Sequence, residues 1–125
     1  MHEYSLMAGI LETVDASARD AGASKVLKIS ISIGALTEVI EDALYFAFDA
    51  LTEGTLSEGA ELEVTTIQPR STCLECGCEF EHDRFHMLCP QCGSFATTLS
   101  AGREMQIDSI EVDIPGEDEQ EESTP

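Results

Sequence analysis

Between Met7 and Ala21 the apolar side chains Met7, Ile10, Leu11, Val14, Ala18 and Ala21 recur at three-, four- and seven-residue multiples, which puts them on one face of a helix. Gly22 follows and suits a helix stop. The period then changes to two. Leu27, Ile29, Ile31 and Ile33 alternate with Lys28, Ser30 and Ser32, the pattern of a half-buried strand that Gly34 ends. A second helix is expected over residues 39–53, with Ile40, Ala43, Leu44, Ala47, Phe48 and Leu51 turned inward. Glu38, Glu41 and Asp42 sit near its start, where the positive end of the helix dipole favours acids. Leu62, Val64 and Ile67 mark another strand, closed by Pro69. Met105, Ile107, Ile110, Val112 and Ile114 read as a long final strand. Its apolar parity switches near Asp108-Ser109, where a β-bulge is expected.

Residues 70–99 show no helical period and carry all five cysteines. Glycines 34, 54 and 59 read as lone turn residues. The order helix, strand, helix, strand, cysteine segment, strand predicts an α+β fold: two helices on a small three-stranded mixed sheet, with an inserted zinc-ribbon-like unit. The strand–helix–strand step favours a parallel pair with a right-handed crossover. The final strand can return beside that pair only if the cysteine segment is an insertion. Residues 1–69 and 100–114 are therefore expected to form one discontinuous domain, 70–99 a metal-binding domain, and 115–125 an acidic disordered tail.

The 125 residues hold 25 Asp+Glu against 6 Lys+Arg, a formal charge of −19. That balance argues strongly against a nucleic-acid surface, which needs a basic face, and disfavours anionic lipid. There is no apolar run of membrane-spanning length and no signal-peptide pattern in the opening residues, so a cytoplasmic address is expected. The last eleven residues hold five acids, which leaves the remainder at −14. So much acid fits either a solubility or high-salt adaptation or a match to a basic protein partner. Five cysteines in a reducing compartment point to metal or redox chemistry rather than structural disulfides.

Cys73-Leu74-Glu75-Cys76-Gly77 and Cys89-Pro90-Gln91-Cys92-Gly93 are two C-x-x-C-G knuckles separated by twelve residues. The spacing lets both thiolates of a knuckle turn toward one ion, and the glycine permits positive φ at the tight turn. Two knuckles supply a sulfur tetrahedron, the donor set of a structural zinc site with no open position for catalysis. An iron–sulfur cluster uses the same four donors, whereas a thioredoxin-like motif would need one knuckle beside a βαβ pattern. Cys78 is left over, as a spare thiol or as a ligand exchanging with Cys76. His82 and His86 lie between the knuckles, solvent-facing or packed, or available to a rearranged site.

The chain opens Met1-His2-Glu3. Histidine is too bulky to favour removal of an initiator methionine, so Met1 is expected to keep its free amine. That amine, the His2 backbone nitrogen and the His2 ring nitrogen can chelate one ion. The Glu3 backbone nitrogen or carboxylate can complete a square. Planar nitrogen ligation selects nickel(II) or copper(II) over zinc.

Met1-His2-Glu3-Tyr4-Ser5-Leu6, Ile31-Ser32-Ile33-Gly34, Leu44-Tyr45-Phe46-Ala47-Phe48, the two knuckles and Glu104-Met105-Gln106-Ile107 together resemble the HypA/HybF family of nickel-incorporation proteins for nickel–iron hydrogenase maturation. The resemblance runs from residue 1 to about 113. It implies a non-enzymatic nickel metallochaperone, with His2 and Glu3 matching the nickel motif and Cys73, Cys76, Cys89 and Cys92 the zinc motif. It also implies delivery, with a GTPase accessory protein, to the hydrogenase large subunit. Position 40 carries Ile40 where some members have an acid that adds to the nickel site. Without the resemblance, the alternatives are a zinc-ribbon interaction module with no transferable metal, a nucleic-acid-binding ribbon disfavoured by the charge, and a redox-active thiol protein.

Overall fold

The computed structural model describes residues 2–83 and 85–115. In chain order the elements are α1 (His2–Asp20), β1 (Lys25–Gly34), a 3-10 turn (Ala35–Thr37), α2 (Glu41–Thr52), β2 (Glu61–Ile67), β3 (Arg70–Cys73), β4 (Glu79–Glu81), β5 (Thr97–Ala101) and β6 (Met105–Asp113). They form two three-stranded sheets, ordered β2-β1-β6 and β4-β3-β5. This is the expected α+β class, two helices and a three-stranded sheet with a cysteine-bearing β-unit inserted before the last strand. The chain divides into two compact units. One takes the residues through Ile31, Val39–Val64 and those from Ile107 onward, and the other takes Ser32–Glu38 and Thr65–Gln106. The acidic tail expected over 115–125 lies, apart from Pro115, outside the described residues.

In the first unit α1 packs against α2. α1 buries Met7, Ile10, Val14 and Ala18, and α2 buries Leu44, Ala47, Phe48 and Thr52. Each set follows the helical spacing that marks one face. The unit's part of β1 contributes Val26, Ile29 and Ile31, all fully buried. Here the alternation differs from the sequence reading, because Leu27 is 46% exposed and Val26 is the inward residue. The Val26 amide donates to the Leu56 carbonyl at 2.8 Å, which fixes the strand's entry one residue out of phase with Ile29. Val64 donates its N–H to the Tyr45 hydroxyl oxygen, joining β2 to α2, and Lys28 pairs with Glu63 at 3.5 Å. In β6 the half-buried positions pass from Ile107 to Ile110 and Val112 across exposed Asp108 and Ser109. The parity switch thus lies within one continuous strand.

α2 is shorter than expected. Ile40 is extended (φ −92, ψ 119) and stands outside the helix as its N-cap, 62% exposed rather than inward. The first helical bond runs from the Leu44 N–H to the Ile40 carbonyl at 3.1 Å.

In the second unit, β3 pairs antiparallel with β4 (Ser71 opposite Phe80) and with β5 (Cys73 opposite Thr97), with a register shift between Arg70 and Ser71. None of these three strands was marked by periodicity, since they are short and largely polar. Arg70 spans Glu79 and Glu81 at 3.3 Å each. Gly34 is more than a turn residue. Its N–H donates to the Glu104 carbonyl at 2.7 Å, and a methyl group on its Cα would run into the backbone carbonyl of Gly102. Gly102 itself adopts φ +123 with the Pro69 backbone beneath it. Gly34→Ala is therefore expected to destabilise by about 3 kcal/mol, because backbone must move on both sides of the contact. Gly54→Ala, at φ +76 with open space around it, should cost only about 1 kcal/mol of left-handed strain. Urea unfolding of the two variants checks the ranking.

Candidate metal centre

The knuckles fold alike. In the first, the Gly77 N–H donates to the Cys73 carbonyl at 2.9 Å, with Gly77 at φ 77. In the second, the Gly93 N–H donates to the Cys89 carbonyl at 2.8 Å, with Gly93 at φ 73. The left-handed glycine closes each loop and turns both sulfurs of a knuckle to the same side. β3 delivers Cys73, and the Ser94 carbonyl accepts the Cys89 N–H.

Cys73, Cys76, Cys89 and Cys92 place their sulfurs within 4.8 Å of one another. Cys73 Sγ lies 3.6 Å from Cys92 Sγ, and Cys76 Sγ lies 3.5 Å from Cys89 Sγ. A tetrahedral site with metal–sulfur bonds near 2.3 Å has edges of about 3.8 Å, so the donors fit one four-coordinate ion. Cys73 and Cys89 are buried, while Cys76 and Cys92 face solvent. Metal-free, the four thiols divide. The Cys92 N–H pulls Cys89 down to about 6, and the Cys76 N–H lowers Cys73. For Cys76, the Cys78 N–H acts downward, but the hydrogen bond to Cys89 and desolvation prevail and raise it to about 12. Cys92 is raised likewise, the Ser94 N–H being outweighed by the bond to Cys73 and desolvation. The Cys76–Cys89 pair thus shares one proton near neutral pH, and a cation would displace the protons that the four sulfurs still hold.

The other candidates of this unit are engaged elsewhere. Cys78 packs against Cys73, Phe80 and Cys89 as a neighbour of the cluster, and its thiol contacts the Glu79 carbonyl at 3.6 Å. The Asp83 carbonyl can only accept, so His82 Nδ1 donates to it at 2.7 Å, and His82 Nε2 faces the Ser71 hydroxyl at 2.7 Å. His86 Nδ1 sits 2.8 Å from the Asp83 carboxylate, which also receives the Phe85 and His86 amides.

At the other end of the chain, His2 and Glu3 open α1. Met1, with the terminal amine expected as a ligand, lies outside the described residues. The His2 ring is open to solvent and its Nε2 lies 3.7 Å from Glu3 Oε2. The Glu3 side chain keeps only 15% of its accessible surface. Its carboxylate accepts the Ile40 N–H at 3.2 Å, a bond spanning 37 positions that nothing local in the sequence announces. Its own amide and that of Ile40 hold the carboxyl below the usual carboxylate range. A groove of about 320 Å³ lined by Glu3, Tyr4, Ala43, Phe46 and Ala47 runs alongside.

Residues 1–112 match the family model described as hydrogenase/urease nickel incorporation, metallochaperone, HypA. A hydrogenase maturation factor HypA of Acidithiobacillus ferrooxidans is 41% identical over 113 residues, 90% of this chain and all of the relative. That of Aquifex aeolicus is 37% identical over 91% of this chain and 99% of its own length. Among solved structures, the solution structure of the Ni metallochaperone HypA from Helicobacter pylori shares the fold at a TM-score of 0.63 and 21% identity, covering 90% of this chain and 97% of that one. A second solution structure of a HypA protein gives 0.68 and 23%, covering 90% and 96%. On the match over residues 1–112 and the identity to full-length relatives, this chain belongs to the HypA family of nickel-incorporation metallochaperones.

Proposed function

We propose that the chain carries nickel(II) at its amino terminus, through His2 and the backbone nitrogens beside it, and passes the ion on during maturation of a nickel–iron hydrogenase. The family match, which spans both ligand sets, carries this reading. The chemistry supports it. Backbone amides in the first turn of a helix have no carbonyl partner within the helix, so those of His2 and Glu3 can be given up to a metal. An exposed imidazole beside them favours transfer over storage. Release follows from competition by the acceptor's ligands, with no bond chemistry.

Cys73, Cys76, Cys89 and Cys92 are assigned to a structural zinc ion. The donor set is closed, and the metal would supply the folding free energy that so small a core cannot. On this reading residues 1–69 and 100–114 act as the nickel-handling domain and 70–99 as the zinc domain. Exposed Leu74, Phe85 and Phe95 suit the zinc domain to partner contact. The partners proposed are a GTPase accessory protein and the hydrogenase large subunit, met in the cytoplasm. No helix among the described residues is long and apolar enough to cross a membrane. The test loads the protein with one equivalent of nickel and mixes it with the large-subunit precursor, with and without the GTPase and GTP. Nickel should appear on the precursor only when the carrier is present, whereas nickel that stays on the carrier under all conditions would overturn the delivery role.

A further inference from the structure

We infer that the Glu3 carboxylate is a positioning residue that couples the His2 imidazole to the amino terminus of α2 through a single oxygen atom. The inference rests on the nickel reading above and gives Glu3 a role within it. α2 starts without a cap of its own. Its N-cap residue is Ile40, which has no side-chain acceptor, and the third helical position is Ala43, which cannot reach back to the N-cap amide as a glutamate would. The missing acceptor comes from α1 instead, as Glu3 Oε2 takes the Ile40 N–H at 3.2 Å. That same Oε2 stands 3.7 Å from His2 Nε2.

Chelate geometry decides what this proximity means. A histidine that binds a metal together with its own backbone nitrogen closes a six-membered ring through Nδ1. Nε2 lies too far round the imidazole to do so. Nε2 is then the outward nitrogen, and a carboxylate 3.7 Å from it, on closing to hydrogen-bond distance, favours the tautomer that leaves Nδ1 free for the metal. The Glu3 carboxylate is thereby placed behind the imidazole rather than on the ion, and only the Glu3 backbone nitrogen is left for coordination. Turning the imidazole onto nickel changes the demand on the carboxylate, on which the Ile40 amide and the Glu3 amide also draw. Nickel uptake is in this way transmitted to α2 and to the groove that Tyr4, Ala43, Phe46 and Ala47 line.

The test uses the full chain with its native amino terminus and its zinc, as wild type, Glu3→Gln and Glu3→Ala, with nickel sulfate as the probe. Without nickel, the Ile40 amide should exchange with solvent roughly five- to tenfold faster in Glu3→Ala than in wild type, the equivalent of a lost helix cap. Glu3→Gln, which keeps an acceptor, should restore most of that protection. One equivalent of nickel should shift the Ile40 amide resonance in wild type. In Glu3→Ala nickel should still give the absorption band of a planar nitrogen site, at an affinity roughly 10- to 100-fold weaker, but leave Ile40 unmoved. An Ile40 amide that ignores bound nickel in wild type, or responds equally in Glu3→Ala, overturns the coupling while leaving the nickel site standing. Failure of the wild type to take up nickel overturns the nickel reading and this inference with it, while equal exchange of Ile40 in all three metal-free proteins removes the tether alone.

Discussion

Cys73→Ser or Cys89→Ser should reduce zinc from about one ion per chain to none and unfold the cysteine-bearing unit. These two cysteines are 1% and 2% exposed and form that unit's small core with Phe80. Nothing apolar stands ready to replace them, because Leu74, Phe85 and Phe95 are 68%, 76% and 86% exposed. Structural zinc contributes on the order of 10–16 kcal/mol near neutral pH, far more than three short strands can gain from packing. The helical signal should survive, since the buried faces of α1 and α2 belong to the other unit. Cys78→Ser should keep its zinc and lose about 1 kcal/mol or less, its sulfur being outside the set of four. The dependence on pH has a definite sign. Cys76, raised to about 12, and Cys92, also raised, hold protons in the metal-free protein at neutral pH. Zinc must expel at least these two, so its affinity rises with pH, by about a hundredfold per pH unit or more. As the pH falls through about 6, Cys89 takes up a proton as well and the loss steepens. Competition with a colorimetric chelator between pH 5 and 8, followed alongside by circular dichroism, checks both the loss and its slope. Zinc bound equally well by Cys89→Ser would show that the ion sits elsewhere.

What could be read from the chain beforehand was whatever rests on local repetition. The stripe from Met7 to Ala18 buries what its period says, because a regular element turns one face to the core, and Ile29, Ile31 and Ile33 are buried as well, but Ser32 on the opposite face of that strand is also buried, so the alternation does not hold there. The period fails where a single contact overrides it. Val26 replaces Leu27 because its amide is held by Leu56, and Ile40 faces water because α2 begins at Glu41, two residues later than the pattern predicts. β3, β4 and β5 were invisible, since strands of three to five residues are held there by pairing and sulfur chemistry rather than by an apolar face. The C-x-x-C-G spacing, in contrast, encodes the knuckle geometry locally, and the four sulfurs do come together. At the other end, His2 and Glu3 could be singled out as donors. The Glu3–Ile40 bond could not, because it joins positions 37 apart and uses a backbone amide that any residue at 40 except proline would offer. A cap missing from α2 is the one trace of it in the sequence. Ile40 followed by Ala43 leaves the helix start without an acceptor, which asks for one from outside.

His2→Ala and an extension ahead of Met1 should each weaken nickel binding by at least on the order of 100-fold. The reason is the same in both cases. A planar nitrogen set gains its selectivity from chelate rings that share atoms, so losing one donor opens a ring and frees the neighbouring amide to recover its proton. His2→Ala removes the imidazole ring of the chelate, while an extension turns the terminal amine into an amide of far lower basicity. Loss of a group that merely supports a ligand costs about 10- to 100-fold, and loss of a ligand should exceed it. Neither change should disturb folding or zinc, because the His2 side chain is 59% exposed at the end of α1 and the cysteine cluster belongs to the other unit. Copper(II), which also prefers a square and stands above nickel in the affinity order, should bind more tightly at the same place and be lost in the same two variants, whereas zinc should not compete there. Equilibrium dialysis of nickel and copper against wild type, His2→Ala and the extended chain, each checked for one zinc, separates the ligand roles from any loss of fold. If a chain whose amine is blocked takes up nickel as strongly as the intact one, the ion is held by some other set of groups.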